Sequence, residues 1–276
     1  MIDHPASFIL FLFRLSLGGM FAFAVTPFHE VERGFYKSTA GVLLALALLG
    51  LWGRFNLYRR TVPFAPELSE TLGILLFSLF VIFLAFDFFS LWGEWVQSRA
   101  RLFSSALFAG LAGLSHTAFS FHSALFWSIE TFFYPISFVL SALLLGSVTV
   151  GMMIGHWYLI DTGQSPEPIY RILKFFVVLL ITQTSFLVVL PAVVCLLGSH
   201  ETVTGLAHLW RNHLMLASGR FLLSQIGPLV LSYMIWATLK IPNTMAATGL
   251  FYIAMLGIFV GKILGRRILA LTSLPL

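Results

Sequence analysis

Residues 69–92 read SETLGILLFSLFVIFLAFDFFSLW. From Thr71 to Phe86 no residue carries a charge, and Leu, Ile and Phe cover every side of a helix drawn through them. A helix in water keeps one polar face, and a half-buried strand alternates with period two; this stretch does neither. It is long enough to cross ~30 Å of hydrocarbon, which takes ~20 residues in a helix. Lipid offers the backbone no hydrogen-bond partners, so the stretch is expected to be a transmembrane helix.

Working outward, comparable apolar runs occupy 8–28, 40–57, 102–121, 132–157, 171–198, 214–239 and 243–265. The expected fold class is therefore all-α, a polytopic integral membrane helical bundle of about eight transmembrane helices. Seven or nine spans stay open, because His116, Thr117, Ser120, His122 and Ser123 make residues 101–133 more polar than the rest. Period-two alternation is poor in all of these runs, which argues against a transmembrane β-barrel. Spans use up nearly all of the chain, so residues 1–276 are expected to form one transmembrane domain with no soluble domain.

Composition agrees. Of 276 residues, 59% are hydrophobic, 10% are charged and 29 are Phe. A water-exposed surface needs about a quarter of the residues charged. The net charge of +5 lacks any dense basic run, which excludes a nucleic-acid partner and fits loop ends meeting lipid headgroups. Cys195 is the only cysteine. It rules out an internal disulfide and reads as a buried, inert thiol. The first run is read as a span, not a signal peptide, despite Ala22-Phe23-Ala24, because Arg14 lies inside it and Met1 to Ser7 lack Lys and Arg. Basic loop residues divide almost evenly between the two faces, with a slight lean toward a cytoplasmic terminal face.

Small residues recur every four positions at Ser147, Gly151 and Gly155, and again at Gly257, Gly261 and Gly265. Each trio shares a helix face that admits either another helix or a flat cofactor. Pro191 and Pro228 are expected to kink the sixth and seventh spans.

Charges within spans are costly and mark functional candidates. Lys174 and Lys262 lie within a turn or two of span ends, from which they can snorkel to the interface. Arg14 and Arg220 lie deeper and suit an acidic headgroup, a haem propionate or a partner's carboxylate. Asp87, between Phe86 and Phe88, suits a proton relay or an acceptor for a quinol hydroxyl. The polar residues Thr182, Gln183, Thr184 and Ser185, with Ser224 and Gln225 in the next span, suit interhelical hydrogen bonds or a transport path.

At the face opposite the termini fall His29, Glu30, Asp87, Glu94, His156, Tyr158 and Asp161. Titratable groups among aromatics at one membrane face are what a quinone pocket requires. His156 follows the small-residue face directly, in Gly155-His156-Trp157-Tyr158, and is the candidate ligand to a haem iron, with His29 as second ligand. The remaining histidines, including the His116–His122 and His208–His213 pairs, lack the spacing of a metal site. No phosphate-binding loop, dinucleotide fingerprint or nucleophile elbow is present.

Eight apolar spans with G-H-W-Y at one span end resemble the polytopic quinone- or haem-b-binding subunits of bacterial respiratory complexes. That resemblance implies haem b or quinone as cofactor, other membrane or cytochrome subunits as partners, and the bacterial cytoplasmic membrane as location. The candidate cofactor-binding residues are then His156, His29, Asp87, Tyr158 and Arg220. Two other readings compete: a structural or assembly subunit without chemistry of its own, and a small-solute or ion transporter.

Overall fold

Every apolar run becomes a helix long enough to cross a membrane. The computed structural model describes residues 4–26, 28, 30–61, 68–93, 96–121, 128–161, 163–241 and 243–275. The first four spans are α1 (His4–Val25), α2 (Arg33–Thr61), α3 (Leu68–Ser90) and α4 (Val96–Phe119). Two long helices follow, α5 (Glu130–Ile160) and α6 (Glu167–Leu197), and then the shorter α7 (His200–Asn212). The seventh span is assembled from α8 (Leu214–Phe221), a π-helical turn at Leu222–Ile226, and α9 (Gly227–Lys240). The eighth is α10 (Thr244–Thr272), and no strand occurs among the described residues.

Eight of these segments have the length and apolarity of membrane spans, so the chain is a multi-pass integral membrane protein. The stretch at 101–133 resolves into one span, α4, while residues 122–127 lie outside the described part. At 31 residues each, α5 and α6 extend ~46 Å, more than the ~30 Å of hydrocarbon, so they tilt or reach into the headgroup layer.

Burial identifies the centre of the bundle. Within their apolar windows α5 is 72% buried and α1 67%, against 28% for α2 and 22% for the seventh span. The sequence pattern that builds this centre is a pair of glycines. A Cβ on Gly18 would stand 1.8 Å from the Ala142 carbonyl oxygen, and one on Gly146 would stand 1.8 Å from the Gly18 carbonyl carbon. The backbones of α1 and α5 therefore touch, as small residues permit in lipid.

Both expected small-residue faces are filled by helices of this chain. Gly151 and Gly155 receive Phe251 and Thr248 of α10, with would-be Cβ contacts of 2.6 and 2.5 Å. Gly261 receives Ser224 of the π turn at 2.2 Å, and Gly257 faces the Leu223 carbonyl at 2.8 Å. Pro191 and Pro135 leave α6 and α5 as continuous helical elements. Pro228 is the second residue of α9, in the first turn after the π turn, where its missing N–H costs least.

Polar pairs fix the remaining registers. Ser16 Oγ donates to the Leu43 carbonyl at 2.7 Å, tying α1 to α2. The buried Glu130 accepts from Ser199 N–H at 2.6 Å and from Thr202 Oγ1 at 3.0 Å, tying the start of α5 to the start of α7. In α7 a single face, with Thr202, Gly205, Leu206 and Leu209, turns inward.

Candidate functional site: a buried cationic centre

The contact that joins α1 to α5 also places the first residue of the site. Arg14 lies four residues before Gly18, one helical turn away on the same face. With α1 held against α5, its guanidinium lies over the Phe138 ring, with Cζ 3.8 Å from the centroid. Lys262 and Arg266 are also four apart and share a face of α10.

Arg220 arrives from the third direction. It is the penultimate residue of α8, and its carbonyl accepts from Ser224 Oγ at 2.9 Å inside the π turn. Because Gly261 has no side chain, Ser224 packs directly on α10, and this brings Arg220 beside Lys262. A π turn adds a residue to a helical turn and re-aims what precedes it, a device common at functional sites.

These side chains converge on a cavity of about 20 Å³, lined by Arg14, Ser141, Arg220, Lys262 and Arg266, with Ser137 and Pro275 at its border. That volume has room for about one water molecule. The cations are close enough to repel one another: Arg14 is repelled by Arg266 and Arg220, and Lys262 by Arg220 and Arg14.

Some of the charge is partnered. Lys262 donates to Gln183 Oε1 at 2.9 Å, and Arg266 Nε donates to Ser7 Oγ at 2.9 Å. Among the described residues Arg14 rests on the Phe138 ring alone, and Arg220 has no polar side-chain partner. Their Nε atoms and Ser141 Oγ are buried without a hydrogen-bond partner, and no acidic side chain among the described residues pairs with either arginine. Arg220 is only 5% exposed. An isolated buried charge costs several kcal/mol, so among the described residues the arrangement is electrostatically incomplete.

Two apolar grooves flank the centre. One, of about 360 Å³, runs between α1 and α10 along Phe8, Phe11, Phe259 and Ile263, and shares Arg14, Lys262 and Arg266 with the cationic cavity. The other, of about 350 Å³, lies between α6, α7 and α8 along Val188, Trp210, Leu214 and Ala217, and includes Arg220.

The other candidates fall elsewhere. His156 is exposed on α5, and the room beside Gly155 is taken by Thr248. His29, His122 and Glu94 lie outside the described residues. Tyr158 is buried and donates to the Ser165 carbonyl at 2.7 Å, with Tyr36 and Glu30 as electrostatic neighbours. Asp87 is 1% exposed; its Oδ1 has no hydrogen-bond partner, and the Arg99 charge acts on it. Among the described residues no three of His, Cys, Asp and Glu are grouped as metal ligands.

Two expectations, for Lys262 and for Cys195, are corrected. Lys262 does not snorkel: it lies ten residues inside the end of α10 and is held by Gln183. Lys174, by contrast, is exposed. Cys195 faces outward from α6, where lipid accepts a thiol as a small apolar group. The polar run in the sixth span divides, with Gln183 serving Lys262, Thr184 donating to Gln225 Oε1 at 2.8 Å, and Thr182 and Ser185 exposed. The sequence shows no match to any protein-family model, to any curated protein or to any solved structure.

Proposed function

We propose that this membrane bundle binds the acidic group of a lipid-soluble molecule at the Arg14–Arg220–Lys262 centre. The observation that carries the reading is the buried Arg220 and the half-buried Arg14, meeting at one cavity with no acidic partner among the described residues. Protein charge left unpaired in lipid is kept where a ligand or a moving ion completes it. The flanking grooves supply the second requirement, an apolar slot opening beside the charge. The test uses the full chain in phosphatidylcholine nanodiscs and compares a fatty acid or alkyl phosphate with the alcohol of the same chain length. Acids bind at least ten-fold more tightly than the alcohol, and Arg220→Gln removes the difference. Equal binding of alcohol and acid ends the reading.

A second reading rests on Asp87. A carboxyl group 1% exposed in a span, with an unpartnered oxygen, is suited to pass a proton or meet a quinol hydroxyl. It supports a membrane subunit of an electron-transfer complex in a bacterial cytoplasmic membrane, binding quinone or haem b beside other membrane or cytochrome subunits. A haem on His156 would stand on the outer surface of α5, so a partner subunit would have to complete its pocket. Reduced-minus-oxidised spectra of the purified protein test it: no haem band, and quinone turnover unaffected by Asp87→Asn in the assembled complex, would remove it.

A further inference from the structure

The cationic centre and the α1–α10 groove adjoin, with Arg14, Lys262 and Arg266 lining both, and their chemistry narrows the ligand. We infer that the ligand is a single-chain lipid ending in a compact phosphate, its phosphate on Arg14, Lys262 and Arg220 and its chain along Phe8, Phe11, Phe259 and Ile263. This rests on the acidic-ligand reading above and adds the headgroup, the number of chains and the groove.

Charge selects the headgroup. Arg14, Arg220 and Lys262 meet at one cavity, and a carboxylate would neutralise one of the three. A terminal phosphate carries up to two negative charges and several acceptor oxygens, which match the forked donors of two arginines. Size acts in the same direction. Space for about one water is too little for a choline or sugar headgroup, whereas a bare phosphate needs only small shifts of long side chains. A quaternary ammonium would in addition be repelled.

Shared residues select the groove. The α1–α10 groove shares Arg14, Lys262 and Arg266 with the cavity, while the α6–α8 groove shares only Arg220. Its outer wall is open to lipid, with Phe8 57% and Ile263 63% exposed, so a chain enters sideways from the bilayer. A volume of about 360 Å³ lies near the small end of ligand pockets and takes one hydrocarbon chain, not two.

The experiment measures binding to the full chain in phosphatidylcholine nanodiscs, corrected for empty nanodiscs. The probes are dodecyl phosphate, dodecanoate, dodecylphosphocholine, dodecanol and inorganic phosphate. Dodecyl phosphate is expected to bind at least ten-fold more tightly than each of the others. Ile263→Trp, which fills the groove from its exposed wall, weakens dodecyl phosphate at least five-fold and leaves inorganic phosphate unchanged; Ala217→Trp in the other groove has no effect on either. Dodecanoate binding as tightly as dodecyl phosphate overturns the phosphate assignment while the acidic-ligand reading stands. Inorganic phosphate matching dodecyl phosphate overturns the role of the chain. Sensitivity to Ala217→Trp instead of Ile263→Trp overturns the choice of groove. Dodecanol matching both acids removes this inference and the broader reading together.

Discussion

Lys262 of α10 donates to Gln183 Oε1 of α6 at 2.9 Å, with both side chains buried in the bundle. The bond spans two helices and supplies a neutral acceptor where an acid would otherwise be needed. An amide offers the ammonium a partner without cancelling its charge, so the centre stays positive for a ligand.

Gln183→Leu removes that acceptor and leaves the ammonium buried alone. Stability is expected to fall by ~1–3 kcal/mol, the usual penalty for orphaning a buried donor, and more if the charge is retained. Adding Lys262→Met is expected to recover most of the loss, because two apolar groups replace a matched pair. Chemical unfolding of the three variants in mixed micelles checks both signs.

The α1–α5 contact has no slack. Gly146→Leu sets a side chain against the Gly18 backbone, which would lie 1.8 Å from the new Cβ. Overpacking usually costs ~1–3 kcal/mol. Here backbone must move, so Gly146→Leu is expected to abolish a monodisperse size-exclusion peak. Gly249 has open space beside it, and Gly249→Ala is expected to leave the peak unchanged.

Glu130 holds α7 to α5 through Ser199 and Thr202. Glu130→Ala leaves the α7 N-terminus without that anchor, at a cost of ~1–3 kcal/mol. Hydrogen exchange should rise several-fold over residues 199–212 and stay unchanged in α1. Equal protection throughout would show that packing of Leu206 and Leu209 alone secures the helix.

The ion pair of Arg171 with Glu30 is different in kind. Its side chains are 39% and 23% exposed, and the N···O distance is 2.8 Å. Solvent screening limits such pairs to ~0–1 kcal/mol. Glu30→Gln is therefore expected to cost ~1 kcal/mol at most and to shift the unfolding midpoint by no more than about 2–4 °C.

The membrane fold was legible because lipid imposes one rule everywhere: about 20 apolar residues, helical, with few charges. That rule located all eight spans. It says nothing about what lies between them, so it does not reveal α7, which falls between the runs at 171–198 and 214–239. Its inward residues Thr202, Gly205, Leu206 and Leu209 do recur at helical spacing, so the signal was present. The Gly18–Gly146 contact was also missed, although Ala142 and Gly146 repeat the four-residue spacing noted in α5 just beyond them.

The site was legible one residue at a time. Arg14 and Arg220 stood out as charges deep in spans, with an acidic headgroup among their expected partners. Their meeting was not legible, because it depends on how α1, α8 and α10 pack. Lys262 was misread because depth was judged from the end of the apolar run, while α10 continues to Thr272. The π turn leaves no trace in composition, yet it decides where Arg220 points.

The central claim is that Arg220 is held at a cost in stability for the sake of a ligand. Thermal unfolding of wild type and Arg220→Met in phosphatidylcholine nanodiscs, with and without dodecyl phosphate, tests it most directly. Without ligand, Arg220→Met should melt higher, since it removes a buried charge with no acidic partner among the described residues, at a gain of several kcal/mol; with ligand, only wild type should gain. A ligand-free Arg220→Met that melts lower than wild type, or a ligand that raises both equally, would contradict the account.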